Sequence, residues 1–224
     1  VPVVAWSIPE PYKTEGFAAN LITGDDYWFN GVLMADYVTA ETEGKGNVLF
    51  INIPQFPVLG IEGEGFEEEY AKVCVGCKLK KIEITVPDLI AGKHISSAIA
   101  ELQADPGINF IVTGFGDMVL GMPDALSGAG IGKDVRIISQ AGSSANYALI
   151  AGKQLQVADL GLPTGFLGWR AVDAGFRAIA GQDPGTFEPR PFTDFADHPD
   201  VQIAGMPFQI LEVGTIVDPA VAWP

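Results

Sequence analysis

Short apolar runs that each break on glycine, proline or a polar turn and restart as a helix constrain this chain most. NVLFINI (47–53) is followed by a Pro-bounded loop and a helical stretch at 58–73; NFIV (109–112) runs into Gly114-Phe115-Gly116-Asp117 and a helical pattern at 117–126. VRIIS (135–139) precedes a helix at 143–151, and residues 154–160 precede GFLGWRAVDAGFRAIA (165–180). Further strands are expected at 1–6, 80–86 and, late in the chain, FQILEV, with helices at 28–42 and 90–104. Trp28, Val32, Ala35 and Val38 recur at helical spacing, as do Trp169, Val172, Phe176 and Ile179. Strand–helix alternation with short connections implies an α/β fold, a parallel sheet covered by helices on both faces.

In an open sheet of this kind a ligand lies outside the carboxyl ends of the strands. Those ends carry Trp6-Ser7, Pro54-Gln55-Phe56, Pro87-Asp88-Leu89, Gly114 to Asp117, Gln140 to Ser143 and Gly161-Leu162-Pro163. The glycines at 114 and 116 suit a tight turn and close approach of a ligand, and Asp117 is placed to cap the next helix.

Known chemical motifs do not fit these turns. GFGDMVLG has its third glycine two residues late for a dinucleotide fingerprint and is not on a first strand. GAGIGKD puts Asp134 where a phosphate loop needs Ser or Thr. Ser143 has no neighbouring histidine in sequence, and there is no G-x-S-x-G elbow. Glu67, Glu68 and Glu69 spread around a helix as a solvated face. The chain is therefore expected to be no enzyme, with no catalytic residue and no cofactor.

Charge narrows the partners. With 13 Lys plus Arg against 28 Asp plus Glu, the formal charge of −15 repels phosphate backbones, so nucleic acid is not an expected partner. No apolar run reaches membrane-spanning length. The start VPVVAW lacks the basic residues of a signal peptide, which is expected of a mature or trimmed product or of absent upstream sequence.

Cys74 and Cys77 are the only cysteines, and neither His94 nor His198 stands in ligand spacing to them, so no metal is expected. The pair lies between the end of a helix and the start of a strand. It is read as a structural disulfide, with two free thiols as the alternative, and a disulfide implies an oxidising compartment.

The ordered set VPVVAW, GDDYWFNGVLMADYV, GEGFEEEYAK, ADPGINFIVTGFGDMVLGMPDAL, DVRIISQAGSS, AGKQLQVADLGLP and GWRAVDAGFRAIAGQDP resembles the sugar-type (ribose-binding, LacI-like) class of periplasmic binding proteins. These are the solute receptors of ABC importers, and the likeness covers residues 1 to about 185. It implies a periplasmic-binding-protein type I fold of two flavodoxin-like lobes closing on a ligand by hinge motion. One lobe would be nearly complete, at 28–155. Residues 1–27 and 156–224 would supply part of the other, whose first βα units have no counterpart here; a dimer through that incomplete lobe is one consequence. The function implied is extracytoplasmic capture of a small molecule for an ABC permease, by a protein secreted or lipid-anchored as a precursor. The effector domain of a LacI-like regulator and an α/β enzyme with an unrecognised site remain as alternatives.

The resemblance also allows the ligand positions to be compared one at a time. Ser7-Ile8 stand where the family has Asp-Arg, Glu62 where it has Arg, and Leu89 where an aromatic stacks on sugar. Phe115-Gly116 replace Asn-Asp, Ala141 after Gln140 replaces Asp, and Gly161 falls near a family Gln. Sugar recognition needs planar bidentate groups for many hydroxyls. Trp6, Phe56, Leu89, Phe115 and Leu162 instead make the rim apolar. The ligand is therefore expected to be less polar than a simple sugar, held by these residues with Ser7, Gln55, Glu62 and Gln140.

Overall fold

The structure is a computed structural model; it describes residues 1–162 and 164–184, and the strands 201–203 and 206–212 by their backbone alone. A seven-stranded sheet runs through the core. Its parallel strands are β3 (Asn47–Asn52), β4 (Lys78–Glu83), β5 (Phe110–Thr113), β6 (Arg136–Gln140) and β7 (Gln156–Gly161), in the order β4-β3-β5-β6-β7. That is the flavodoxin order 2-1-3-4-5, which leaves a topological switch point between β3 and β5. β9 (Met206–Glu212) adds antiparallel to β7, and β8 (Val201–Ile203) antiparallel to β9. The main sheet thus runs past residue 155, the boundary expected for this lobe.

Helices cover both faces, as the strand–helix alternation predicts. α1 (Gly24–Glu41) and α2 (Pro57–Val73) cover one face, where Phe29, Met34, Val38 and Phe66 meet Val48, Phe50, Phe110 and Ile138. On the other face Ala98 and Leu102 of α4 (Lys93–Ala104) and Met122 and Leu126 of α5 (Met122–Gly128) meet Leu49, Ile51, Ile111 and Ile137. The all-buried β5 explains why its sequence is apolar without alternation.

Several element ends differ from the sequence expectation, each for a local reason. α1 starts four residues early because Thr23 and Asp26 form a capping box, the Asp26 carboxylate accepting from the Thr23 amide at 2.8 Å. The stretch expected as one helix at 90–104 is two, α3 (Val86–Ile90) and α4, divided at Gly92 with φ 68°. Likewise 117–126 splits into a short 3-10 turn (Gly116–Met118) and α5, with Gly121 at φ 80° as the break. Asp117 lies inside that turn and caps nothing.

Outside the main sheet, β1 (Val4–Ala5) and β2 (Ala19–Asn20) form a two-stranded parallel ribbon, with α7 (Thr164–Ile179) packed on β1. Leu167 and Ala174 are buried, while Trp169, Val172, Phe176 and Ile179 are exposed.

Cys74 and Cys77 are bonded, as expected, and close the turn from α2 into β4. β4 is the edge strand; its Lys80 and Lys81 pair with Glu101 and Glu67, which keeps the open edge charged. Replacing both cysteines with serine is expected to lower stability by about 2 kcal/mol, at the low end for so short a loop. Urea unfolding with and without reductant reads the difference directly; identical midpoints would show that the bond constrains nothing.

Candidate functional site

The carboxyl ends of β3, β5, β6 and β7 converge on one edge of the sheet, and the segment carrying β1, β2 and the start of α1 lies across it. The core is continuous there: Leu21, Ile22 and Tyr27 pack with Leu59, Met118 and Leu167.

At the switch point the crevice between β3 and β5 is filled by the protein itself. Asn52 donates to the Leu59 carbonyl at 2.6 Å and accepts from the Ile53 amide at 2.8 Å. A Cβ on Gly114 would stand 2.4 Å from the Asn52 Oδ1. A Cβ on Gly116 would stand 2.6 Å from the Gly142 Cα, and one on Gly142 2.6 Å from Asp159 Oδ2. These glycines admit the chain's own polar side chains, not the approach of a ligand.

Next to them lies a buried polar network. Asp159, wholly buried in β7, accepts from the Ser139 hydroxyl and from the Gly142 amide, the latter at 2.9 Å. Gln156 donates to Ser139 at 2.9 Å, and Asn146 donates to Gln156 at 3.1 Å and to the Gly116 carbonyl at 2.8 Å. Asn146 also completes the capping box that starts α6 (Ser144–Ala151) with Ser143. Burial pushes the Asp159 carboxyl up to about 6 against the lowering effect of its two donors.

Glu62, in the second turn of α2, is also wholly buried, and among the described residues neither carboxyl oxygen has a hydrogen-bond partner. Burial first, and the Asp159 charge second, hold its pKa well above the ordinary range. Tyr27 senses Glu62 in turn: burial raises its pKa, the Glu62 charge adds to this, and a hydrogen bond from Ser7 opposes it. The Ser7 hydroxyl donates to the Tyr27 oxygen at 3.1 Å. Ser7, Tyr27, Glu62 and Asp159 therefore form a polar seam from the half-buried edge of the molecule into its core.

The residues singled out from the sequence fall into three groups. Trp6 and Phe56 are exposed, at 41% and 44%. Leu89, Phe115 and Leu162 are half-buried and pack against the core, Leu89 from within α3. The polar residues are mostly occupied: the Gln55 oxygen accepts from the Val86 amide at 3.2 Å, Gln140 donates to the Gly114 carbonyl at 2.9 Å, and Ser7 binds Tyr27. Of these residues Glu62 is the one whose fully buried polar atoms lack a hydrogen-bond partner among the described residues.

Sequence reasoning missed Tyr27, Ser139, Asn146, Gln156 and Asp159. Asp159 had a legible signal, a charge inside the apolar strand QVADLG. The others had none, because their roles come from contacts across strands.

A separate cavity of about 150 Å³ lies between α2 and the edge strand, lined by Asn52, Gly60, Gly63, Glu67, Lys81 and Glu83. It lies at the carboxyl ends of β3 and β4, whose last residues, Asn52 and Glu83, line it. Among the described residues no group of three or more His, Cys, Asp or Glu is arranged to hold a metal, and no helix is long and apolar enough to cross a membrane.

No protein-family model matches the sequence, and no curated protein matches it. Solved structures do match the fold. A glucose-galactose binding protein from Geobacillus stearothermophilus superposes with a TM-score of 0.74 at 17% identity, covering 97% of this chain and 70% of that one. An ABC transporter solute-binding protein from Agrobacterium vitis, bound with alpha-D-tagatopyranose, gives 0.76 at 16% identity, covering 99% and 70%. An ABC sugar transporter subunit from Rhodobacter sphaeroides gives 0.72 at 21% identity, covering 96% and 70%.

Proposed function

From a chain with the type I periplasmic-binding-protein fold, spanning about 70% of the solved structures it matches, we infer a solute-binding protein of an ABC importer. It captures a small molecule at the carboxyl edge of the main sheet, beneath the segment that carries β1 and β2. The observation that carries this reading is that edge itself: strand ends, the crossing segment and α7 meet there around an uncommitted buried polar group. The glucose-galactose binding protein and the tagatopyranose-bound solute-binding protein that share the fold support binding over catalysis. The Cys74–Cys77 bond supports an extracytoplasmic setting over that of a cytosolic regulator.

The ligand is less polar than a simple sugar. Trp6 and Phe56 offer exposed aromatic faces, and the amide side chains of Gln55 and Gln140 are bonded internally. Isothermal titration of the full chain with pentoses, hexoses and small aromatic solutes tests this. Aromatic solutes are expected to bind, with roughly tenfold weaker affinity in Trp6→Ala, as befits a stacking contact of 1–2 kcal/mol. Tight binding of hexoses with no binding of aromatics would reject the apolar assignment.

A further inference from the structure

We propose that Glu62 and Asp159 form the acidic floor of the ligand site, and that the solute bound there carries a protonated amine. The inference rests on the solute-binding reading and adds to it the charge of the ligand.

Glu62 makes no side-chain hydrogen bond that would account for it within the fold, among the described residues. Its main chain is fixed, since its carbonyl oxygen lies against Gly31 so closely that a Cβ there would stand 2.1 Å away. Its side chain is 0% exposed, yet both oxygens lack a donor. An unpaired ion in such a place costs several kcal/mol, and even the neutral acid leaves a donor and an acceptor unsatisfied. A leucine or methionine of similar volume would fill the space at lower free energy. A buried polar group left unsatisfied in this way calls for an explanation, and a ligand that brings donors supplies one.

The partner must bring donors and positive charge. The charge acting on Glu62 is that of a second buried carboxyl, Asp159, and among the described residues no lysine or arginine acts on either. Asp159 already has two donors, Ser139 and Gly142; Glu62 has none. A neutral polyol would supply donors but leave the electrostatic effect of Asp159 on Glu62 uncompensated. An ammonium group supplies three donors and offsets both charges.

Features at the edge of the seam fit the same chemistry. Ser7, which binds Tyr27, follows directly on the exposed Trp6, and Phe56 precedes the helix that carries Glu62. Aromatic faces attract cations while shedding their water. The formal charge of −15 raises the local concentration of cations further.

The test is thermal-shift and calorimetric titration of the full chain with pairs that differ by one ammonium group: tyramine against para-ethylphenol, and glucosamine against glucose. The amine of at least one pair is expected to raise Tm by about 4 °C or more near saturation, and its neutral twin not. Glu62→Leu is expected to fold with an unchanged or higher Tm and to bind that amine roughly a hundredfold more weakly, with Glu62→Gln intermediate. If the neutral twins bind as well as the amines, the charge assignment fails and the solute-binding reading stands. If Glu62→Leu and Glu62→Gln both melt several degrees lower, Glu62 is a structural residue and the inference is overturned. If no member of either pair shifts Tm, the inference fails together with the reading beneath it.

Discussion

Replacing Gly65 with alanine is expected to lower the stability of this protein by about 3 kcal/mol or more, although alanine is the better helix former. The reason is the crossing of α1 and α2. A Cβ at Gly65 would stand 2.0 Å from the Trp28 carbonyl oxygen, and one at Gly31 would stand 2.1 Å from that of Glu62. Two backbones touch through two glycines, and no side chain can yield to make room. Adding a methyl group forces the helices apart and unpacks Phe66 from Phe50, whose ring centroids are 5.1 Å apart. Overpacking of this kind exceeds the gain of about 1 kcal/mol that Gly→Ala brings to a helix interior. Gly60 supplies the control on the same helix, because the nearest atom to its Cβ is 4.0 Å away. Gly60→Ala is expected to leave stability unchanged or raise it by about 0.5–1 kcal/mol. Urea midpoints decide the matter: equal losses in the two variants would show that the crossing is not tight.

The second large effect is on pH. Asp159 is fully buried and its pKa stands at about 6 in the folded protein against 3.8 as the reference. A carboxyl raised on folding is accommodated as the neutral acid, so its ionisation weakens the fold as pH rises from about 4 through 6. The change amounts to about 3 kcal/mol for a single group. Burial raises Glu62 and Asp26 as well, with the same sign. Asp88 and Asp105 act oppositely: Lys93 and Thr85 hold Asp88 near 2, and Asn47 with the Gly107 amide lowers Asp105, so their contributions fade on acidification. The comparison that isolates Asp159 is therefore with Asp159→Asn, which keeps an acceptor for the Gly142 amide. The stability of the wild type relative to this variant is expected to fall by about 3 kcal/mol between pH 4 and pH 7. A flat difference across that range would mean that Asp159 is ionised throughout.

What could be read in advance shows where each kind of information resides. The parallel sheet was legible because strands buried on both faces need continuous apolar runs, and FIVT and VLFIN are such runs. The disulfide was legible because Cys74 and Cys77 bracket a single turn between two elements of clear period. Helix ends were less so: the Thr23 and Asp26 capping box lies in the sequence as a T-x-x-D pattern, but it was overlooked beside the stronger apolar periodicity that starts at Trp28. Of the residues expected to bind a ligand, the aromatics were placed by topology alone, since strand ends at a switch point must rim any crevice. Their hydrogen bonds could not be foreseen. Whether Gln55 and Gln140 face a ligand or bind Val86 and Gly114 depends on distances between strands that are remote in the chain.

Local periodicity and turn chemistry therefore determined the α/β class, the order of elements and the edge at which a ligand would lie, because these follow from interactions among near neighbours. Tertiary structure alone decided that Gly114 and Gly116 serve the protein's own side chains, that Gly31 and Gly65 let two helices touch, and that Glu62 is left buried without a partner. Those facts are sums over contacts between residues tens of positions apart. No window of sequence contains them.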